Sequence, residues 1–207
     1  MSVQHGYKFT FKHTAENNHL RTHEYVCMLH KSTCSALKKT GGQCGKTCVI
    51  GLPMCWVHLR SQMFLRIAPS TIPNAGKGLF AYKPPKEGAR SSIVFYPHQT
   101  ICTYTGEVIS KKELIKRYGK STAPYAVQLD EKGTKYVDGA KYRGVGSLSN
   151  QKNARDNNSE LEPDSERRPK NILLVASKKI NHGDEIFTDY GEDYSFDDGS
   201  TFSTKYV

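Results

Sequence analysis

Five of the six cysteines (Cys27, Cys34, Cys44, Cys48, Cys55) fall within 29 residues, and only Cys102 stands apart. Cys34, Cys44, Cys55 and His58 are separated by nine, ten and two residues. The close pair in Cys55-Trp56-Val57-His58 can offer thiolate and imidazole to one ion from a single turn. Three thiolates and one imidazole close a tetrahedral shell, the arrangement of a structural zinc that leaves no position for substrate. In so short a segment the ion would supply much of the folding energy. Cys27, His30 and Cys48 are alternative ligands, and the competing reading is free thiols in an unstructured arm.

Four further segments carry groups suited to ligand binding. In Gly76-Lys77-Gly78-Leu79-Phe80-Ala81, paired glycines before a strand let backbone approach a ligand and leave N–H groups to bind it. The longer G-x-G-x-x-G spacing and a long following helix are missing, so a dinucleotide fold is not expected. Tyr104-Thr105-Gly106-Glu107 is a strand that stops at glycine. Gly146-Ser147-Leu148-Ser149-Asn150 leads into the Asn-rich stretch Asn153 to Asn158. An Asn at such a strand end offers donor and acceptor to an adenine edge, or caps a turn. Finally, Gly183 to Gly191 (GDEIFTDYG) delivers an aromatic hydroxyl, Tyr190, at a strand end and then breaks. Taken alone, Tyr190 and Tyr125 read as core aromatics with satisfied hydroxyls.

These segments need elements to hold them. Strands are expected at Met63–Ala68, Leu79–Tyr82, Thr100–Ile109 (interrupted at Gly106), Asn171–Ser177 and Glu185–Tyr190, the last two joined across His182-Gly183-Asp184. Tyr125–Asp130 and Thr134–Val137 form a hairpin around Glu131-Lys132-Gly133. One helix is signalled by the capping box Ser110-Lys111-Lys112-Glu113, the apolar stripe Leu114, Ile115 and Tyr118, and the stop at Gly119. Asn150 to Lys170 reads as an exposed polar insertion. The chain is therefore expected to be mainly β with one or two short helices. The domain reading is a flexible basic and His-rich arm at 1–26, a Cys/His knuckle at 27–60, a larger mainly β domain at 63–195 and a tail at 196–207.

With 207 residues, 37% hydrophobic content and a mean hydropathy of −0.61, a soluble globular chain is expected, with no apolar run long enough to cross a bilayer. Met1 to His30 is polar and His-rich with no apolar stretch, so it is not expected to act as a secretory signal, and a reducing intracellular compartment, nucleus or cytoplasm, is expected. The net charge is +10, and residues 1–60 hold eight Lys/Arg against Glu16 and Glu24. A basic amino-terminal arm fits nucleic acid as a partner, or simply keeps the arm soluble. Asp184 to Asp198 holds seven acids and no Lys or Arg, which would attract a basic peptide or serve as a solvated tail.

In order and spacing, the four ligand-binding segments resemble the SET-domain family of protein lysine methyltransferases over about residues 63–195. Gly76 to Ala81 is similar to its G-x-G-L-F-A, Tyr104 to Glu107 to its Y-x-G-E, and Gly183 to Gly191 to its G-E-E-L-x-x-D-Y-G. Ser147 to Asn150 stands where the family has R-F-I-N, and Asn157-Asn158 where it has P-N. The block from Cys34 to His58 also resembles small Cys3His knuckles in proteins of large DNA viruses, so action in a virus-infected cell is one setting the resemblance allows.

The SET resemblance implies a pseudoknotted fold of several small sheets, with Asn150 and its segment threading beneath Asp189–Tyr190. Lys77, Gly78 and Leu79 would hold the methionine end of S-adenosylmethionine largely through backbone groups, with Asn150 and Gln151 on the adenine side. Tyr190 would lie beside both the cofactor and the transferred methyl, and Tyr125 resembles the second channel tyrosine. A free lysine, with pKa about 10.4, is almost wholly charged at neutral pH, and an aromatic channel would favour its neutral, nucleophilic form. Alignment of amine and methyl would then supply most of the acceleration.

Two departures are visible. The family's N-H-S-C reads Asn150-Gln151-Lys152-Asn153, and in place of a cysteine-rich closing segment the sequence runs Asp193-Tyr194-Ser195-Phe196. Tyr194 or Phe196 would roof the channel. The expected function is lysine methylation of a basic protein such as a histone tail. The alternative is a catalytically weak SET module that binds nucleic acid or a protein through its knuckle and basic arm.

Overall fold

The computed structural model describes residues 5–14, 20–29, 33–38, 40–48, 54–84, 92–119, 123, 125–140, 144–164 and 171–191, the first two stretches by their main chain. Strands β1 (His5–Thr14) and β2 (Leu20–Leu29) pair antiparallel, with His5 opposite Leu29. Both strands fall largely within the stretch read from sequence as an arm at 1–26. Tyr7, Phe9 and Phe11 alternate with Lys8, Thr10 and Lys12, a two-residue period that marks a strand.

A narrow ribbon follows, bridged at Thr33–Thr47 and Leu37–Gln43. Helix α1 (Trp56–Gln62), which the sequence reading did not foresee, is capped at Cys55 without a side-chain bond. It is held by Leu59, fully buried in the main core with Leu65, Leu79, Leu174 and Ile186. One such side chain contributes about 1.5–3 kcal/mol, enough to hold a helix too short to be stable alone.

Strands β3 (Leu65–Pro69) and β4 (Lys77–Ala81) pair with Arg66 opposite Phe80. The chain continues through β5 (Ile93–Phe95), β6 (Thr100–Tyr104) and β7 (Glu107–Ser110) to helix α2 (Lys111–Tyr118). The capping box forms as expected, the Glu113 amide donating to Ser110 Oγ at 3.2 Å. The apolar stripe does not behave as expected: Ile115 is 53% exposed, and α2 is anchored instead by Tyr118 and Arg117 on Asp138.

Strands β8 (Ala126–Gln128) and β9 (Lys135–Asp138) form the expected hairpin, with β9 between β7 and β8. A 3-10 turn (Val145–Leu148) leads to β10 (Ser159–Pro163), β11 (Ile172–Ala176), β12 (Ile180–Asn181) and β13 (Glu185–Ile186). β11 is a continuous apolar run because it is central, flanked by β10 and β6. β4 is likewise central, between β13 and β3. Among the described residues the architecture is thus mainly β, small sheets with two α-helices.

Residues 150–164 are not a wholly exposed insertion. Asn157, Ser159 and Asp164 are buried, and β10 pairs along its whole length with β11. The chain after β13 passes between the two arms of this stretch, with parallel bridges Asn150–Phe187 and Ser159–Thr188. The Thr188 amide donates to Asn150 O, and the Ser159 amide and hydroxyl both donate to Phe187 O, each at 2.9 Å. Asn158 clasps the same strand from its side chain, donating to Glu185 O at 2.9 Å and accepting from the Phe187 amide at 3.0 Å. This is the threaded crossing expected beneath Asp189–Tyr190. Tyr194, Phe196 and the tail lie outside the described residues, as does His30. Among the described residues no helix is long and apolar enough to cross a membrane.

Candidate functional site

The ligand atoms of Cys34, Cys44, Cys55 and His58 all lie within 4.8 Å of one another. The three cysteines are buried, and His58 Nδ1 lies 3.4 Å from Cys34 Sγ and 3.5 Å from Cys55 Sγ. The ribbon presents Cys34 and Cys44 from facing strands, the Cys34 amide donating to Lys46 O and the Cys44 amide to Ala36 O. The start of α1 supplies the other two. Cys48 is buried in the same cluster but outside this set, and the side chain of Cys27 lies outside the described atoms.

Burial by itself would raise the Cys34 thiol, but the Cys55 and Ala36 amides and the His58 ring outweigh it and hold it near 6. The Lys46 amide favours a Cys44 thiolate, yet burial and the Cys34 charge push that thiol up. Charge on Cys34 therefore opposes charge on Cys44, a repulsion that a divalent cation removes. An ion about 2.3 Å from sulfur and about 2.0 Å from nitrogen sets tetrahedral S···N edges near 3.5 Å, the spacing seen here.

The Gly76, Asn150 and Tyr190 segments converge around a buried carboxylate. Glu185, on β13, accepts from Ser70 Oγ, Thr71 N and Thr71 Oγ1 at 2.6 Å and from Asn150 Nδ2 at 3.2 Å. Gly78 lies directly against it: a Cβ there would sit 2.1 Å from Glu185 Oε1. The close approach that glycine permits at this position is thus to a protein carboxylate. Asn150 Nδ2 also donates to Lys77 O at 3.1 Å, which ties the threaded segment to the start of β4. Tyr190 closes the group, its hydroxyl donating to Ser149 O and its amide to Gln151 Oε1, both at 2.9 Å. Leu79 is fully buried in the central strand, whereas Lys77 is exposed.

Internal bonding fixes the orientation of both amides, since Lys77 O and Glu185 can only accept and the Tyr190 amide can only donate. Asn150 Oδ1 and Gln151 Nε2 remain without partners among the described residues. One acceptor and one donor on adjacent residues is the pattern that the N6–H and ring nitrogen of adenine require.

Tyr125 belongs to a second assembly. Its carbonyl accepts from the Tyr104 hydroxyl and the Gly139 amide, both at 2.9 Å. Gly106 is required here, because a Cβ would lie 2.6 Å from the Asp138 carbonyl. Asp138, with no exposed surface, accepts from Arg117 Nη1 (2.9 Å), the Tyr118 hydroxyl (3.0 Å) and the Ala140 amide (2.9 Å). Arg117 also reaches Glu107 (3.0 Å) and Glu113 (2.9 Å). Burial would lower the guanidinium pKa, but the three carboxylates raise it further still. The Glu185 frame of Ser70 and Thr71, and the Arg117–Asp138 pair, escaped the sequence reading. Glu185 opens β13 and Asp138 closes β9, and the sequence around each gives no sign that it is buried.

The SET-domain family model matches residues 76–191, more than half of the chain. No curated protein matches. Among solved structures, an active polycomb repressive complex 2 in the basal state is similar over 62% of this chain, at 26% identity and a TM-score of 0.50. An apo form of ctPRC2 with mutations in Ezh2 gives 26% identity over 63% of this chain with a TM-score of 0.50. The same complex, from Chaetomium thermophilum, in an autoinhibited conformation bound to S-adenosylmethionine gives 24% over 63% with a TM-score of 0.50. In each case the match spans 15% of the other chain's length.

Proposed function

Because this chain belongs to the SET-domain family, we propose that it transfers a methyl group from S-adenosylmethionine to a lysine side chain of a basic protein such as a histone tail, inside the nucleus or cytoplasm. The observation that carries the reading is the convergence of Lys77, Asn150, Gln151 and Tyr190 through direct hydrogen bonds. Asn150 Oδ1 and Gln151 Nε2 would read the adenine edge. Lys77, exposed beside Asn150, and the Gly76–Gly78 backbone would hold the methionine end. When bound, S-adenosylmethionine supplies a methyl on a sulfonium, open to in-line displacement by an amine.

Tyr190 and Tyr125 would orient that amine. The hydroxyl proton of Tyr190 is committed to Ser149 O, so its oxygen would present a lone pair to an amine N–H. The Tyr125 backbone is pinned by Tyr104 and Gly139, which would fix where its ring can lie. Glu185 would act on the site from behind by locking Asn150 and the β4 start. It is buried and fully bonded, so it does not join Asp184 and Asp189 as an outward attractor of basic substrate. The Cys34–Cys44–Cys55–His58 set would hold a structural zinc with no catalytic part. Transfer of labelled methyl to a panel of histones and ribosomal proteins tests the reading. Wild type should label a lysine and Tyr190→Phe should lose most of the label, while no labelling of any panel member would refute it.

A further inference from the structure

Residues 25–86 contain nine Lys/Arg and not one Asp or Glu, so this stretch carries +9 of the chain's net +10. Such a run is the electrostatic footprint of a polyanion partner, and it falls on the ribbon, α1, β3 and β4 rather than on the amino-terminal arm. Lys38 and Lys46 are exposed on the two arms of the ribbon and have no ion-pair partner among the described residues. Arg60 is exposed on α1, its guanidinium 5.2 Å from the Tyr82 ring.

Aromatic and apolar groups stand among these cations. Trp56 is 41% exposed, Val57 58% and Leu37 68% among the described residues. Two contacts join α1 to the ribbon: His58 touches Cys34 within the Cys/His cluster, and Gln62 Nε2 donates to Leu37 O at 3.3 Å. An exposed indole on a fixed helix start, in a stretch of chain that carries exposed cations and no acids, combines the two devices used by single-strand binders. Cations track the phosphates and a ring stacks a base. A duplex would bury its bases and leave the indole unused, and an acidic protein would not need a flat ring among the lysines.

We propose that the ribbon and α1 form a docking face for single-stranded nucleic acid, with Lys38, Lys46 and Arg60 on phosphates and Trp56 stacking a base. The inference is independent of methyl transfer, because none of these residues belongs to the Asn150–Tyr190 group. It would bring a nucleic-acid-bound basic protein to the enzyme.

Fluorescence anisotropy with a labelled single-stranded 20-mer and the zinc-loaded full chain tests it, with duplex, heparin and anionic vesicles as competitors. Three phosphate contacts predict a log–log salt slope of about −2, and Lys38→Glu with Lys46→Glu should flatten it to about −0.7. Trp56→Ala should weaken single-strand binding by roughly tenfold, with Trp56→Phe restoring most of it. Retained zinc content and circular dichroism would show that the variants fold. The proposal is overturned if the single strand does not bind, if Trp56→Ala binds as wild type does, or if duplex, heparin or vesicles displace the single strand as well as unlabelled single strand does.

Discussion

Replacing Gly78 by alanine probes the join between the glycine loop and the threaded segment. The new methyl would stand 2.1 Å from Glu185 Oε1 and 2.8 Å from its Cδ. The carboxylate must then retreat by roughly 1.4 Å to reach the ~3.5 Å of ordinary contact. Oε1 is the acceptor for Ser70 Oγ and Asn150 Nδ2, so both bonds break, while Oε2 can keep Thr71. Two bonds to a buried charge are worth about 1.5–3 kcal/mol each, and Asn150 keeps Lys77 O, so the expected loss is about 3–4 kcal/mol. Urea unfolding of Gly78→Ala, Glu185→Ala and the double variant measures the coupling. Without the carboxylate the added methyl has room, so the cycle should return about 2–3 kcal/mol of interaction, the double variant being more stable than additivity allows. Costs that add within about 0.5 kcal/mol would refute the clash as the reason for glycine.

Other consequences are separable. Arg117→Met leaves Asp138 buried without its cation and should cost about 3–5 kcal/mol in urea unfolding, part of it recovered by adding Asp138→Asn; a loss under about 1 kcal/mol would mean the pair is not holding α2. Burial pushes the Cys102 thiol up to about 12, so it should resist thiol reagents in the native chain at pH 8. The sign follows: the thiol is protonated in both states below about 9, and above that the unfolded thiol ionises while the folded one does not. Cys102 therefore contributes full stability below about pH 9 and loses it progressively towards 12, which pH-dependent melting will register. Cys55→Ser should release one metal equivalent and lower Tm by about 5–10 °C, since the freed end of α1 carries Leu59 in the main core. A metal-free variant melting within a degree or so of wild type would make the knuckle an independent appendage.

Local chemistry was the legible part of this sequence. The capping box, the two glycine-ended strands and the β8–β9 hairpin each depend on neighbours within a few positions, and each stands where its residue types require; Cys34, Cys44, Cys55 and His58 were legible by residue type and spacing although they meet across 24 residues. Contacts across the chain were hidden. Helix α1 has no cap signal and forms because Leu59 reaches the core. β10 reads as polar loop because its partner is the apolar β11, and Glu185 reads as surface charge because its donors lie 114 and 115 residues earlier. Gly78 was legible as a close approach, but not what approaches it. The β1 alternation is local and present in the sequence, Tyr7, Phe9 and Phe11 interleaved with Lys8, Thr10 and Lys12.

Methyl-donor uptake is the most direct test of the central claim. Titration calorimetry of S-adenosylmethionine into the zinc-loaded chain should give saturable one-to-one binding, weakened at least tenfold by Gly78→Ala and nearly unchanged by Trp56→Ala. Binding heat indistinguishable from dilution for the folded wild-type chain would contradict it.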